Sequence, residues 1–179
     1  MIGDDAARYA LIRQASNPAA PLEVGRWIRQ TEDNPVFLVR FAHARLSAVG
    51  RYAVALGYRT ATEPDAGPGQ PAVPLLPAVT AAGSPEEKAM SAFHAAVQQY
   101  PAALADAGDR RQPHRLTRYL ERLAGASRDY LTSVRVLPIN ERADGGSAAA
   151  AKRLQLVGQA RWVLADGLRV LGVTAPERL

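Results

Sequence analysis

Residues 34–51 read NPVFLVRFAHARLSAVGR. Asn34 can cap a helix with its side-chain oxygen, and Pro35 suits a first turn, where its missing N–H is no loss. The pattern predicts a helix over residues 35–56. At about 100° per residue, Leu38, Phe41, Ala42, Val49, Tyr52, Ala53 and Leu56 share one broad apolar arc. Arg40, His43, Ser47 and Arg51 share the opposite, narrower arc. Arg45 projects from the middle of the apolar arc and is expected to be a buried structural residue. An unpaired buried charge is very costly, so Arg45 should meet a carboxylate, with Asp4, Asp5 and Asp33 as candidates.

Helical spacing continues on both sides of this segment. A first helix is expected over residues 4–14, then a break containing Asn17, Pro18 and Pro21. LEVGRWIRQ at 22–30 fits either a short helix or an extended approach. Residues 58–84 hold Pro64, Pro68, Pro71, Pro74 and Pro77 and several glycines, too many breakers for a helix, and read as a loop or linker. GPGQP inside it lacks the Lys-Ser/Thr of a phosphate cradle. Ser84-Pro85-Glu86-Glu87 is a helix start, expected to run to about residue 100. Pro101 opens a short helical piece, PAALADA. Pro113 opens a long helix to about residue 137, with Leu116, Tyr119, Leu120, Leu123, Tyr130, Leu131 and Val134 as its apolar set. A last helix over 147–171 buries Leu156, Val157, Ala160, Val163, Leu164, Gly167, Leu168 and Leu171. Strand signals are almost absent. The expected fold is all-α: one helical-bundle domain spanning 1–179, with about five to six helices and a Pro/Gly-rich insert at 58–84.

The 179 residues are enough for a proper core, and a hydrophobic content of 47% argues against disorder throughout. The net charge is +5, and of 22 basic residues only Lys88 and Lys152 are lysines. Arginine makes planar, bidentate and stacking contacts that suit phosphate and bases. Codon preference in a GC-rich genome would give the same bias. There is no cysteine, hence no disulfide and no thiolate metal site. No apolar run approaches the ~20 residues of a membrane span, and MIGDDAARYALIRQ lacks a signal-peptide core. A soluble, cytoplasmic protein with no membrane association is the expectation.

An active site is not visible. His43, His94 and His114 have no partners at metal-ligand spacing, and no serine sits in a GxSxG elbow. Asp4–Asp5 and Glu86–Glu87 lie at helix starts, where the dipole accounts for them. No catalytic residue, metal or cofactor is expected.

Charge says more. Between residues 110 and 135, Arg110, Arg111, Arg115, Arg118, Arg122, Arg128 and Arg135 face only Glu121 and Asp129, an excess equal to the +5 of the whole chain. Arg111, Arg115, Arg118 and Arg122 repeat at helical spacing and fall on one face. Such a stripe is the footprint of a polyanion binder, or else a solvated face. Trp162 points away from the buried stripe of the last helix. An indole there can stack on a base, dock another protein, or pack beneath the 58–84 segment.

Five stretches carry a family likeness: GDDAARYALIR at 3–13, DNPVFLVRFAHARLSAVGR at 33–51, QPHRLTRYLERLAGA at 112–126, RVLP at 135–138 and VLADGLRVLGVTAPERL at 163–179. In this order and spacing the chain resembles, nearly end to end, the C-terminal DALR-type anticodon-binding domain of bacterial arginyl-tRNA synthetases. The resemblance implies an all-helical domain that receives the anticodon stem-loop of tRNA(Arg), while a separate Rossmann domain, not present in these residues, activates arginine with ATP. It implies no catalysis by this part alone. It makes Arg40, His43, Ser47 and Arg51 a phosphate-facing edge, with Arg45 an internal tie. Arg40, His43, Arg51, Arg111, Arg115, Arg118, Arg122 and Trp162 are then the expected RNA-contacting residues.

The departures are specific. Where the family usually reads NPVYYVQYAHAR, this chain has Phe37, Leu38, Arg40 and Phe41, so every tyrosine hydroxyl is lost and a neutral amide becomes a cation. Ser127, Arg128, Asp129, Tyr130 and Leu131 stand where Phe-His-x-Phe-Tyr is usual. That pattern suits a kept scaffold with altered recognition. The alternative is a free-standing relative repurposed to hold a protein or ligand partner.

Overall fold

The computed structural model describes residues 2–14, 22–58, 83–137 and 147–179. Among them there are seven helices and no strand: α1 (Asp4–Arg13), α2 (Val24–Trp27), α3 (Pro35–Ala55), α4 (Pro85–Gln98), α5 (Tyr100–Asp109), α6 (His114–Ser133) and α7 (Ser147–Val170). The count exceeds the expected five to six because LEVGRWIRQ does form one helical turn, α2. Most of the expected 58–84 insert lies outside the described residues.

The helix starts follow their local chemistry. The Asn34 side chain accepts from Val36 N at 3.2 Å and donates to the carbonyls of Trp27 and Arg29, so one residue caps α3 and fastens the turn before it. Ser84 and Glu87 bond each other's backbone N–H at 3.1 Å, a reciprocal cap for α4. Helix α6 stops at Ser133 rather than near 137, and Val134 turns extended. Pro138 disfavours helical backbone at the residue before it, and buried Val134 and Val136 are better housed in extended chain.

Helix α6 is the hub, packing on α1, α3, α4, α5 and α7. Helix α3 lies between α6 and α7. Leu120, Leu123, Leu164 and Leu168 are fully buried. Phe93 stacks on Tyr130 with ring centroids 4.6 Å apart, and Tyr119 donates to the Ala96 carbonyl at 2.8 Å. The expected stripe of α7 is the buried one.

The arc assigned to α3 is corrected. Its buried residues are Pro35, Val36, Val39, Ala42, His43, Ala44, Leu46, Ser47 and Ala53. That set is rotated by roughly a third of a turn towards the polar side. Tyr52 and Leu56 are 60% and 48% exposed, whereas His43 and Ser47 are buried. The small residues Ala42, Ala44, Ser47 and Ala53 let neighbours approach closely beside buried Val39 and Leu46, while Tyr52, Val54 and Leu56 are left towards the open side.

Candidate functional site

The expected phosphate-facing edge of α3 is covered by the chain itself. After Gly172 (φ +68) ends α7, residues 173–179 run back across α1 and α3. His43 Nδ1–H donates to the Pro176 carbonyl at 2.8 Å, and Arg51 donates to the Glu177 carbonyl at 3.1 Å. Arg40 reaches Thr174 Oγ1 at 3.3 Å and Asp5 at 3.8 Å, and Thr174 also bonds Asp5. Arg8 bonds the Gly172 carbonyl. Burial holds the His43 imidazole below its usual range, against the opposing pull of the Pro176 carbonyl. Arg40, His43 and Arg51 are thus tied to the tail through Thr174 and the carbonyls of Pro176 and Glu177, and Ser47 is buried with no hydrogen-bond partner among the described residues.

Trp162 is also corrected. Its indole is half-buried and sits edge-on to Tyr100, centroids 6.0 Å apart, with the planes at 85°. Tyr100 is fixed by a 2.5 Å hydrogen bond to Asp166, which also receives Arg169. Tyr100, the first residue of α5, thus reaches the side of α7 expected to be open.

Arg45 meets none of its expected carboxylates. Asp5 is taken by Arg40 and Thr174, and Asp33 offers its backbone carbonyl to Arg26. The Arg45 guanidinium is half-exposed and lies 5.7 Å from the centre of the Phe41 ring, which stacks on Phe37 at 5.5 Å. Arg45 lines the space between α3 and the end of α6, and its long side chain lies along an apolar wall.

That wall belongs to an open groove of about 400 Å³ between α3 and residues 131–137. Arg45, Val49, Tyr52, Leu131, Val134 and Arg135 shape it, and no carboxylate lines it. Among the described residues the guanidiniums of Arg45 and Arg135 make no ion pair. Aromatic and apolar walls between two free guanidiniums can stack unpaired bases and attract phosphates. A second cleft of about 430 Å³ lies beside α1, where Asp4 and Asp5 offset Arg29 and Arg40 and leave its wall without an excess of positive charge. Sequence reasoning does not single out Tyr52 or Arg135 for binding; a large aromatic such as Tyr52 on α3 reads as core.

The long-helix arginines are split. Arg115 bonds Asp106 at 2.8 Å, as Arg110 does at 2.6 Å. Arg128 pairs with Glu32 and Asp129. Arg118 and Arg122 stand exposed on α6 and Arg111 in the turn before it; none has an ion-pair partner among the described residues. Among the described residues no cluster of His, Asp or Glu could hold a metal, and no helix is long and apolar enough to cross a membrane.

Residues 39–179 match the family model described as the DALR anticodon binding domain. The chain is 40% identical over 178 residues to an arginine–tRNA ligase of Frankia alni, an alignment covering 99% of this chain and 29% of that protein's length. A crystal structure of an arginyl-tRNA synthetase from Campylobacter jejuni superposes with a TM-score of 0.72 at 18% identity, covering 99% of this chain and 34% of the other. The Thermus thermophilus arginyl-tRNA synthetase gives a TM-score of 0.67 at 22% identity, covering 98% and 26%. These two structures establish the likeness of fold.

Proposed function

Because the chain belongs to the DALR anticodon-binding family, we propose that it is a tRNA-binding module and that the groove beside Arg45 receives unpaired bases of an anticodon loop. The observation that supports this most directly is the inversion of α3. Its side chains Val49 and Tyr52 line the groove, while His43 is spent on the tail. A stacking surface with two free guanidiniums and no acid on its lining suits a single-stranded polyanion. Given the arginine–tRNA ligase relative, tRNA(Arg) is the RNA we assign to it. The module holds RNA rather than transforming it, needs no cofactor, and works in the cytoplasm. Nothing favours a repurposed scaffold, since Trp162, one of the features that suggested a protein partner, is packed against Tyr100.

Fluorescence anisotropy with tRNA(Arg) and an unrelated tRNA, at low and moderate salt, tests the reading. Tight, salt-dependent binding of tRNA(Arg) is expected, because phosphate contacts release counterions. Tyr52→Ala should weaken it by ~1–3 kcal/mol, the value of one stacked base. No association with either tRNA at low salt would refute the function, and an unaltered affinity of Tyr52→Ala would refute the groove.

A further inference from the structure

We propose that residues 174–179 form a proton-released strap, closed over α3 while His43 is neutral and swung out when the imidazole gains a proton. This rests on the contacts of the tail and not on RNA binding. The strap has a fixed root and a loosely held body. At the root, Gly172 (φ +68) turns the chain back and Arg8 holds the Gly172 carbonyl. Val173 is 4% exposed and donates its N–H to the Leu168 carbonyl at 2.9 Å. Beyond Val173 no side chain is fully buried: Ala175 and Pro176 are half-buried, and Thr174, Glu177, Arg178 and Leu179 are exposed. Little apolar area is given up when this part leaves, so polar bonds decide whether it stays.

His43 holds the middle of the strap. It is buried and bonds the Pro176 carbonyl at 2.8 Å, whereas the flanking bonds, from Arg40 to Thr174 and from Arg51 to Glu177, are exposed to water. The charges along this contact leave no place for another cation. Arg40 and Arg51 come from α3, Arg8 and Asp5 from α1, Arg161 from α7 and Glu177 from the strap itself. Asp5 lies 3.8 Å from Arg40, and Glu177 is shared by Arg51 at 3.7 Å and Arg161 at 3.8 Å. An imidazolium would therefore be a fifth cation against two carboxylates that already have guanidinium partners. Burial opposes the proton most strongly; the Pro176 carbonyl and Glu177 favour it, Arg161 opposes it, and the balance is against it. In the open form the imidazole is hydrated and takes the proton at its ordinary value, so protonation favours opening. Opening also withdraws Leu179 from the wall of the cleft beside α1 and frees Arg40 from Thr174, so the same proton widens that cleft.

The chain has no cysteine, so Arg178→Cys creates a single labelling site on an exposed residue of the strap. A short-tethered fluorophore there reports strap motion through its anisotropy decay. Between pH 7.5 and 5.5 the amplitude of fast local motion should rise several-fold and reversibly, while helix content by circular dichroism stays constant. His43→Gln keeps a donor for the Pro176 carbonyl and cannot titrate, so in that background the amplitude should stay level. Backbone 15N relaxation of the unlabelled native protein is the second reading. Order parameters of residues 174, 175 and 177–179 should fall from about 0.85 to below about 0.6 at pH 5.5, in step with the ring resonances of His43. A strap that stays rigid at pH 5.5 in either reading overturns the proposal, as does an equal gain in mobility in His43→Gln. If His43→Gln is already mobile at pH 7.5, the native order parameters decide, and a fall that does not follow the His43 ring overturns it. Loss of helix content in step with strap motion also overturns it, because the fold would then be opening as a whole.

Discussion

Replacing Arg45 by alanine removes a guanidinium that touches the Phe41 ring and no carboxylate. An exposed cation–π contact is worth about 0.5–1 kcal/mol, so urea unfolding should show a loss no larger than that. A loss near the ~3 kcal/mol of a broken buried ion pair would restore the internal tie expected from the sequence. His43 carries the opposite kind of information. Burial lowers its imidazole pKa from 6.5, so the unfolded chain takes up a proton more readily than the folded one. The stability linked to this group is complete above about 6.5 and is lost as pH falls towards the depressed folded value. Urea midpoints at pH 7.5 and 5.5 should therefore fall further for the native protein than for His43→Gln. Equal falls would show that His43 does not titrate differently on folding.

Helix α7 approaches α6 so closely at Gly167 that an added Cβ would lie 2.6 Å from Leu120 Cδ2. Leu120 is fully buried, so it has little room to yield. Gly167→Ala should cost about 1–3 kcal/mol through overpacking, although alanine is the better helix former; an increase in melting temperature would contradict that packing. The elements themselves were legible. The Ser84 cap, the Asn34-Pro35 start and the stripe of α7 each carry a local signal that no tertiary contact overrode. The rotation of α3 was not legible, because periodicity registers only how apolar an arc is. It cannot tell a helix covered on two sides, with larger side chains left on an open groove, from one with a single buried face. The same blindness hid Tyr52 as a groove residue and placed Trp162 outside.

At the scale of the whole molecule, net charge gives the excess of arginine but not which guanidiniums remain free of carboxylates. Of the seven arginines between 110 and 135, those at 110, 115 and 128 are bound to carboxylates that come from α5, the segment before α3, or α6 itself. The pairing of Arg128 with Glu32 joins segments far apart in the chain and leaves no mark in a local pattern, whereas Asp106 lies within nine residues of both its arginines. The tail is the extreme case, since residues 173–179 meet α1 and α3 from the other end of the chain. Val173 is 4% exposed, and Pro176 supplies the carbonyl that His43 binds. Removing residues 173–179 should forfeit one buried aliphatic side chain and at least one buried hydrogen bond, roughly 2–4 kcal/mol together. In a protein of this length that corresponds to a fall of roughly 5–15 °C in melting temperature. The truncation also opens the surroundings of His43, whose depressed pKa arises first from burial. The shortened protein should therefore lose the native excess in pH dependence between 7.5 and 5.5 and behave like His43→Gln. A shortened protein that melts at the native temperature, or that keeps the native pH dependence, would show that the tail does not close over α3.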